Sequence, residues 1–173
     1  MATANAVTHP ALPLATRLRP QSLSEFVGQA HLLRKDGPLA AALERGHLFS
    51  SILWGPPGTG KTTLAHLLGQ AAQAEFISLS ALTTGVKELR ALAETADQRW
   101  ETNQRQTLIF IDEVHRFNKA QQDVLLPELE NARFSLIGAT TENPSFALNS
   151  ALLSRTRVYI LKPLSAEELL PLL

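Results

Sequence analysis

Residues 51–71 read SILWGPPGTGKTTLAHLLGQA, an apolar run, then a turn rich in glycine and proline, then Leu64, Leu67, Leu68 and Ala71 at helical spacing. Within the turn, Gly55, Gly60, Lys61 and Thr62 fit the pattern G-x-x-x-x-G-K-[ST]. Such a turn can wrap its backbone N–H groups around a phosphate because no Cβ intrudes, and the helix start adds partial positive charge. In this pattern Lys61 reaches the β- and γ-phosphates, and the Thr62 hydroxyl ligates Mg²⁺. A bare glycine turn with a surface lysine would not need a strand before it and a helix after it. Both are expected here.

Working outward, the pattern alternates. EFISLS (75–80) reads as a second strand, and GVKELRALAETADQRWE (85–101) as an amphipathic helix with Val86, Leu89, Leu92 and Ala93 on one face. QTLIFID (106–112) is nearly all apolar, as a central parallel strand covered on both faces should be. A helix from about Asn118 to Glu130, a strand RFSLIGATT (133–141), a short helix near LNSALLS (148–154) and a strand RVYILK (157–162) follow. Pro127 sits inside the predicted helix 118–130 and should kink it or end its regular hydrogen bonding. Alternation of this kind predicts a parallel sheet with right-handed crossovers.

At the two ends the reading is less regular. Residues 1–16, small and proline-bearing, are expected to form a flexible arm, and GPLAAALERGHL (37–48) a short helix ending near Gly46. The α/β core is expected over 17–164. Ser165 and Glu168 have the spacing of a capping box, so 165–173 should begin another helix. Its early stop suggests an N-terminal piece of something longer.

The bulk composition narrows the function classes. With 173 residues, 45% hydrophobic and 18% charged, the chain suits one globular domain. Its 16 Lys+Arg balance 16 Asp+Glu, so no global charge drives it to nucleic acid or membrane. The absence of cysteine excludes disulfides, thiolate metal sites and thiol catalysis. No Lys or Arg precedes Arg17, and Pro10 and Pro13 break the apolar residues, so the start does not read as a signal peptide. No apolar run approaches the ~20 residues that span a bilayer. A soluble cytoplasmic protein without a membrane partner is expected.

LIFIDEVHRF (108–117) carries the second site signal. Asp112 ends an apolar strand, where ligands collect in open parallel sheets, and can hold Mg²⁺ through water. Glu113 should point away from Asp112 by strand alternation, which suits a base that orients attacking water and favours hydrolysis over transfer. His115 stands where a DExH motif places a histidine; a packing or coupling role competes with direct catalysis. No histidine pair has metal-site spacing. Arg116 and Lys119 are assigned to DNA or a neighbouring subunit rather than to compensation of the acids, with a solvated face as the alternative. Further on, Thr140, Thr141, Glu142 and Asn143 make a polar strand end. Thr140 there can sense the γ-phosphate or position water, though Asn-Pro is also a plain turn signal. Arg155 and Arg157 flank the last strand. In a ring, Arg155 could reach the neighbour's γ-phosphate as an arginine finger.

GPPGTGKTTLA, IFIDEVHRFNKAQQD, IGATTENPSF and NSALLSR together resemble the AAA+ ATPases and, within them, the RarA/MgsA family, bacterial relatives of the Werner-helicase-interacting protein. The resemblance runs from about Arg17 to Leu169. It implies a P-loop NTPase core: a three-layer α/β fold with helices on both faces of a parallel sheet, here without the helical lid. It further implies a clamp-loader-like, homo-oligomeric ATPase using ATP and Mg²⁺ at stalled or gapped replication forks and in recombination. DNA forks, gaps and single-strand/double-strand junctions would be its partners, with a single-stranded DNA-binding protein beside them, in a nucleoid-associated cytoplasmic setting. By the same resemblance Gly55, Pro56, Pro57, Gly58, Thr59, Gly60, Lys61 and Thr62 form Walker A, with Thr63 next to them. Asp112 and Glu113 form Walker B, Thr140 is sensor 1, and Arg155 is the finger acting in trans. RPQSLSEFVGQ (19–29) resembles the segment that holds adenine, with Val27 and Gly28 at the backbone contacts. The lid with its sensor 2 arginine and the oligomerisation region would lie beyond Leu173, which removes one wall from the adenine and ribose site.

Three rivals compete. A RuvB-type branch-migration motor has a similar GATT strand end and would carry a winged-helix domain. A non-catalytic nucleotide switch is disfavoured by the intact Lys61 and Glu113. A small-molecule kinase would need an acceptor pocket and basic lid. No basic patch interleaved with aromatics appears, so DNA contact rests on the resemblance.

Overall fold

The computed structural model describes residues 19–45, 48–131 and 133–170. The expected arm over 1–16, the helix end at Gly46 and the last residues of the 165–173 segment lie outside the described residues. Five strands form one sheet: β1 (Ser51–Trp54), β2 (Glu75–Ser80), β3 (Thr107–Asp112), β4 (Phe134–Thr140) and β5 (Arg157–Ile160). The order is β2-β3-β4-β1-β5, with every neighbouring pair parallel. The most interior strand is therefore β4, buried along its whole length, and β3 lies one place to its side.

Parallel strands need crossovers, and helices supply them. Ahead of the sheet come α1 (Ala30–Leu33) and α2 (Pro38–Glu44); α3 (Lys61–Ala71), α4 (Val86–Asn103) and α5 (Lys119–Leu129) then link β1 to β4 in turn. Two short helices, α6 (Pro144–Ala147) and α7 (Ser150–Ser154), fill the last crossover, and α8 (Ala166–Leu169) follows β5. The period of two along each strand divides the core. Leu53, Leu108, Phe110, Ile137 and Ala139 pack with Leu32, Leu39, Leu64 and Leu68 on one face. Ile52, Ile109, Ile111 and Leu136 pack with Leu89, Ala96, Leu125 and Leu152 on the other. The three-layer architecture follows, as expected.

Local chemistry sets the helix limits. Asn118 caps α5 in a reciprocal box: its side chain accepts from Gln121 N, and the Gln121 side chain accepts from Asn118 N. Ser165 and Glu168 form the expected box at α8. Pro127 does not end α5, which runs on to Leu129. Pro127 and Asp123, whose carbonyl the missing N–H would have met, are both exposed, so water can replace the lost bond. The Asn-Pro signal at Asn143 opens α6 rather than a simple turn: the Asn143 side chain accepts from Ser145 N, and Pro144 occupies the first helical turn.

Candidate active site

The carboxyl ends of β1, β3 and β4 lie side by side at one edge of the sheet, and the residues of interest sit there. From β1 the chain enters the loop 55–60. Gly58 and Gly60 have φ of 77° and 89°, values that favour glycine. At Gly60 a Cβ would also meet the Phe26 ring at 2.8 Å. The loop is tied to β4 because Gly55 N donates to Thr140 O over 3.1 Å. Inside it, the Thr59 hydroxyl donates to Pro56 O, and the Lys61 ammonium donates to Gly55 O and Pro56 O at 2.7 and 2.8 Å. Burial lowers the Lys61 pKa, and the charges of Asp112 and Glu113 oppose that shift, which places all three within electrostatic reach.

β3 ends at Asp112, an exposed carboxylate whose Oδ1 accepts from Glu113 N. The expected reason for the direction of Glu113 needs correction. Glu113 is past the strand, in a left-handed turn with φ of 56°, so that turn and not strand alternation aims its side chain. The turn leads into one 3₁₀ turn, Val114–Arg116, which is anchored by fully buried Val114. Gly138 makes room for it: a Cβ there would meet Val114 Cγ1 and Ile52 Cδ1, both at 2.9 Å.

The basic residues after the acids also differ from expectation. His115 Nε2 lies 3.2 Å from Glu113 Oε2 and 3.6 Å from Glu142 Oε1, and Arg116 Nε lies 3.7 Å from Glu113 Oε2. Arg116 therefore does compensate Glu113, and His115 lies within hydrogen-bond reach of the same oxygen. The 3₁₀ turn brings i+2 and i+3 back toward it, which an extended reading of the segment could not show. Lys119 stands apart, exposed and 3.8 Å from Asp123 on its own helix.

Thr140, at the end of β4, is buried, and its hydroxyl meets His115 Nδ1 at 2.9 Å and accepts from Glu142 N at 3.0 Å. Gln29 was not foreseen from sequence. It is buried, and its amide donates to Lys162 O at 2.7 Å and Thr59 O at 3.4 Å while accepting from Lys162 N. With Phe26 over Gly60, it fastens the Val27–Gly28 segment against the phosphate loop. Gly28, at φ of 84°, has no room for a Cβ beside Leu164. A long polar side chain next to a glycine was the available clue, and it is a weak one.

Arg155 lies elsewhere. It precedes β5, whose Arg157 pairs with Ser51 at the start of β1, while the phosphate loop leaves the other end of that strand. Four strand residues separate these edges by roughly 13 Å. The Arg155 guanidinium instead grips Glu130 at 2.6 Å, and Arg157 covers the Phe49 ring at 3.9 Å. A cavity of about 1200 Å³ lies along the outer side of α3, between Arg19, His66 and Trp100. It touches the loop region only through Thr63 and holds none of Lys61, Asp112, Glu113 or Thr140, so size does not make it the site. Among the described residues no cluster of three or more His, Cys, Asp or Glu could hold a metal unaided.

The family described as "ATPase family associated with various cellular activities (AAA)" matches residues 51–164. The chain is 57% identical over 157 residues to the replication-associated recombination protein A of Escherichia coli K12, covering 91% of this chain and 35% of that protein. It is 46% identical over 157 residues to the ATPase WRNIP1 of Dictyostelium discoideum, covering 91% and 18%. Among solved structures, the Thermotoga maritima RuvB Holliday junction branch migration motor superposes with a TM-score of 0.71 at 36% identity, over 90% of this chain and 52% of that one. The chain thus spans about a third of the length of the recombination proteins it matches.

Proposed function

The chain belongs to the AAA family of ATPases, and on that premise we propose that it hydrolyses ATP with Mg²⁺ to act on DNA during replication-associated recombination. One observation supports the chemistry above all: Lys61, Asp112, Glu113 and Thr140 converge on one sheet edge beside a phosphate loop. In this reading the backbone of Gly55 to Gly60 and the start of α3, with Thr62 and Thr63, cradle the phosphates, and Val27 and Gly28 meet the adenine. Lys61 exchanges its two carbonyl partners for phosphate oxygens. Glu113 takes a proton from water as the water oxygen bonds to the γ-phosphorus and the bond to the ADP oxygen breaks. Thr140 fixes that water. Arg155, facing away from its own loop, stabilises the γ-phosphate of a neighbouring copy in a homo-oligomer.

Thr62 and Asp112 offer a hydroxyl and a carboxylate, hard oxygen donors of the kind Mg²⁺ takes together with water and phosphate, so the residues present fit the ion. When bound, it would supply positive charge that neutralises the phosphates as charge shifts toward the leaving group.

Similarity to proteins named for replication-associated recombination supports the DNA role. We place the action at stalled or gapped forks and at single-strand/double-strand junctions, in clamp-loader fashion, with a single-stranded DNA-binding protein as a further partner and a nucleoid-associated location in the cytoplasm. No helix among the described residues is long and apolar enough to cross a membrane. The test is steady-state ATP turnover of the full-length protein with duplex ends, gapped duplex, single strands and closed circles. Ends and gaps should stimulate severalfold; indifference to all four would remove the fork reading. The likeness to a RuvB motor favours branch migration as the second reading. It predicts movement of a synthetic four-way junction, which the first reading does not. No measurable turnover in the intact protein would leave only a nucleotide-binding switch, and undiminished turnover in Glu113→Gln would remove Glu113 as the base.

A further inference from the structure

We propose that His115 is a positioning residue that locks Glu113 and Thr140 into one unit, so that the base and the residue that holds the water cannot be set independently. The proposal rests on the hydrolytic reading above and adds to it a residue that reading does not use.

The proton count carries the argument. His115 Nε2 faces Glu113 Oε2 at 3.2 Å, and a carboxylate can only accept. A neutral ring therefore carries its proton on Nε2 and donates it to Glu113. Nδ1 is then an acceptor, and 2.9 Å away it finds the Thr140 hydroxyl, which must supply the proton. With that proton committed, Thr140 Oγ1 uses a lone pair to accept from Glu142 N at 3.0 Å, and its remaining lone pair stays free. The Thr140 hydroxyl then donates to His115 rather than to Glu142 O, the other acceptor in reach at 3.3 Å. Changing the position of Glu113 thus changes which way the Thr140 hydroxyl points.

Packing makes the link stiff. The His115 side chain is 7% exposed, whereas that of Glu113 is 39% exposed. The buried ring is thus the fixed member and the carboxylate the one it steers. The turn beneath is pinned by Val114 over Gly138, and the loop of β1 is pinned to the same threonine through Gly55 N. Neither Asn nor Gln can replace both ring nitrogens. Asn reaches about as far as Nδ1 and can keep Thr140; Gln reaches about as far as Nε2 and can keep Glu113.

The experiment measures ATP turnover, affinity for a fluorescent ATP analogue and thermal melting for full-length His115→Ala, His115→Gln and His115→Asn, with Glu113→Gln alongside. His115→Ala should lower kcat about tenfold or more, with nucleotide affinity kept within about threefold. His115→Gln, which keeps Glu113 but not Thr140, should recover only part of kcat and His115→Asn less; full recovery by Gln would show that Thr140 need not be coupled and would overturn the proposal. In the nucleotide-free protein, ¹⁵N shifts should report the Nε2–H tautomer, and Glu113→Gln should perturb them. An unchanged kcat in His115→Ala, equal loss of kcat and affinity, equal rescue by Asn, or the Nδ1–H tautomer overturns the proposal. Undiminished turnover in Glu113→Gln instead overturns the assignment of Glu113 as the base, on which the proposal rests, so the two failures are distinct.

Discussion

Lys61 Nζ donates to the carbonyl oxygen of Gly55 over 2.7 Å, folding the lysine back onto the loop that it would serve. A phosphate oxygen that enters must replace this bond and the one to Pro56 with stronger, charge-assisted bonds. Lys61→Ala should therefore weaken nucleotide binding by about 10- to 100-fold, measured with a fluorescent ADP analogue. Melting of the ligand-free protein should move little, since the bonds lost belong to one surface loop. Unchanged affinity would take Lys61 out of the site.

Glu113 sits at φ of 56°, where a side chain costs energy and glycine does not. Glu113→Gly and Glu113→Ala lose the same carboxylate, so comparing them isolates the backbone. The glycine variant should be the more stable by about 1 kcal/mol in denaturant titrations, the reverse of the usual order. Both should lose turnover. Equal stability, or an advantage for alanine, would show that the turn carries no strain.

Arg155 faces away from its own phosphate loop and holds Glu130 at 2.6 Å. Acting in trans, it predicts complementation. Arg155→Ala should cost on the order of a hundredfold or more in turnover. Mixing it with Lys61→Ala should restore activity above the sum of the two, because Lys61→Ala subunits still offer an arginine to an intact neighbouring site. A mixture no better than its parts would exclude the finger role.

Gly138 has no space for a methyl group between Ile52 and Val114. Gly138→Ala should destabilise the fold by about 1–3 kcal/mol through overpacking. It should also reduce turnover, since relief of the clash moves the 3₁₀ turn that bears His115. Calorimetry and turnover on the same sample check both effects.

The layers of the fold were legible because each is written as a period. Ile109 and Ile111 alternate with Leu108 and Phe110, and Leu89 and Ala93 recur one turn apart, so strand and helix could be told apart with no knowledge of partners. The positions of Asp112 and Thr140 were legible as well, since they stand where strands end, and that of Lys61 because its glycine pattern lies between a strand and a helix. The contact between Glu113 and His115 was not legible, because it is made by a left-handed residue and one turn of 3₁₀ helix, neither of which has a periodic signature. Gln29 was hidden for a different reason: its partners Thr59 and Lys162 come from two distant stretches of chain. Pro127 lies inside its helix, as expected, and the helix runs on past it because water can reach the carbonyl it leaves bare.

The sheet order also fixes a timetable. β1 pairs only with β4 and β5, so the strand that launches the phosphate loop has no neighbour until residues 134–160 have been made. On a ribosome adding about 5–20 residues per second, β2 and β3 can pair while β1 still waits. Pairings this distant in sequence are also slow to close. A nascent chain halted before Phe134 holds the whole glycine loop yet has no scaffold on which to form it. The nucleotide site, first to be spelled out, is among the last parts of the domain to exist.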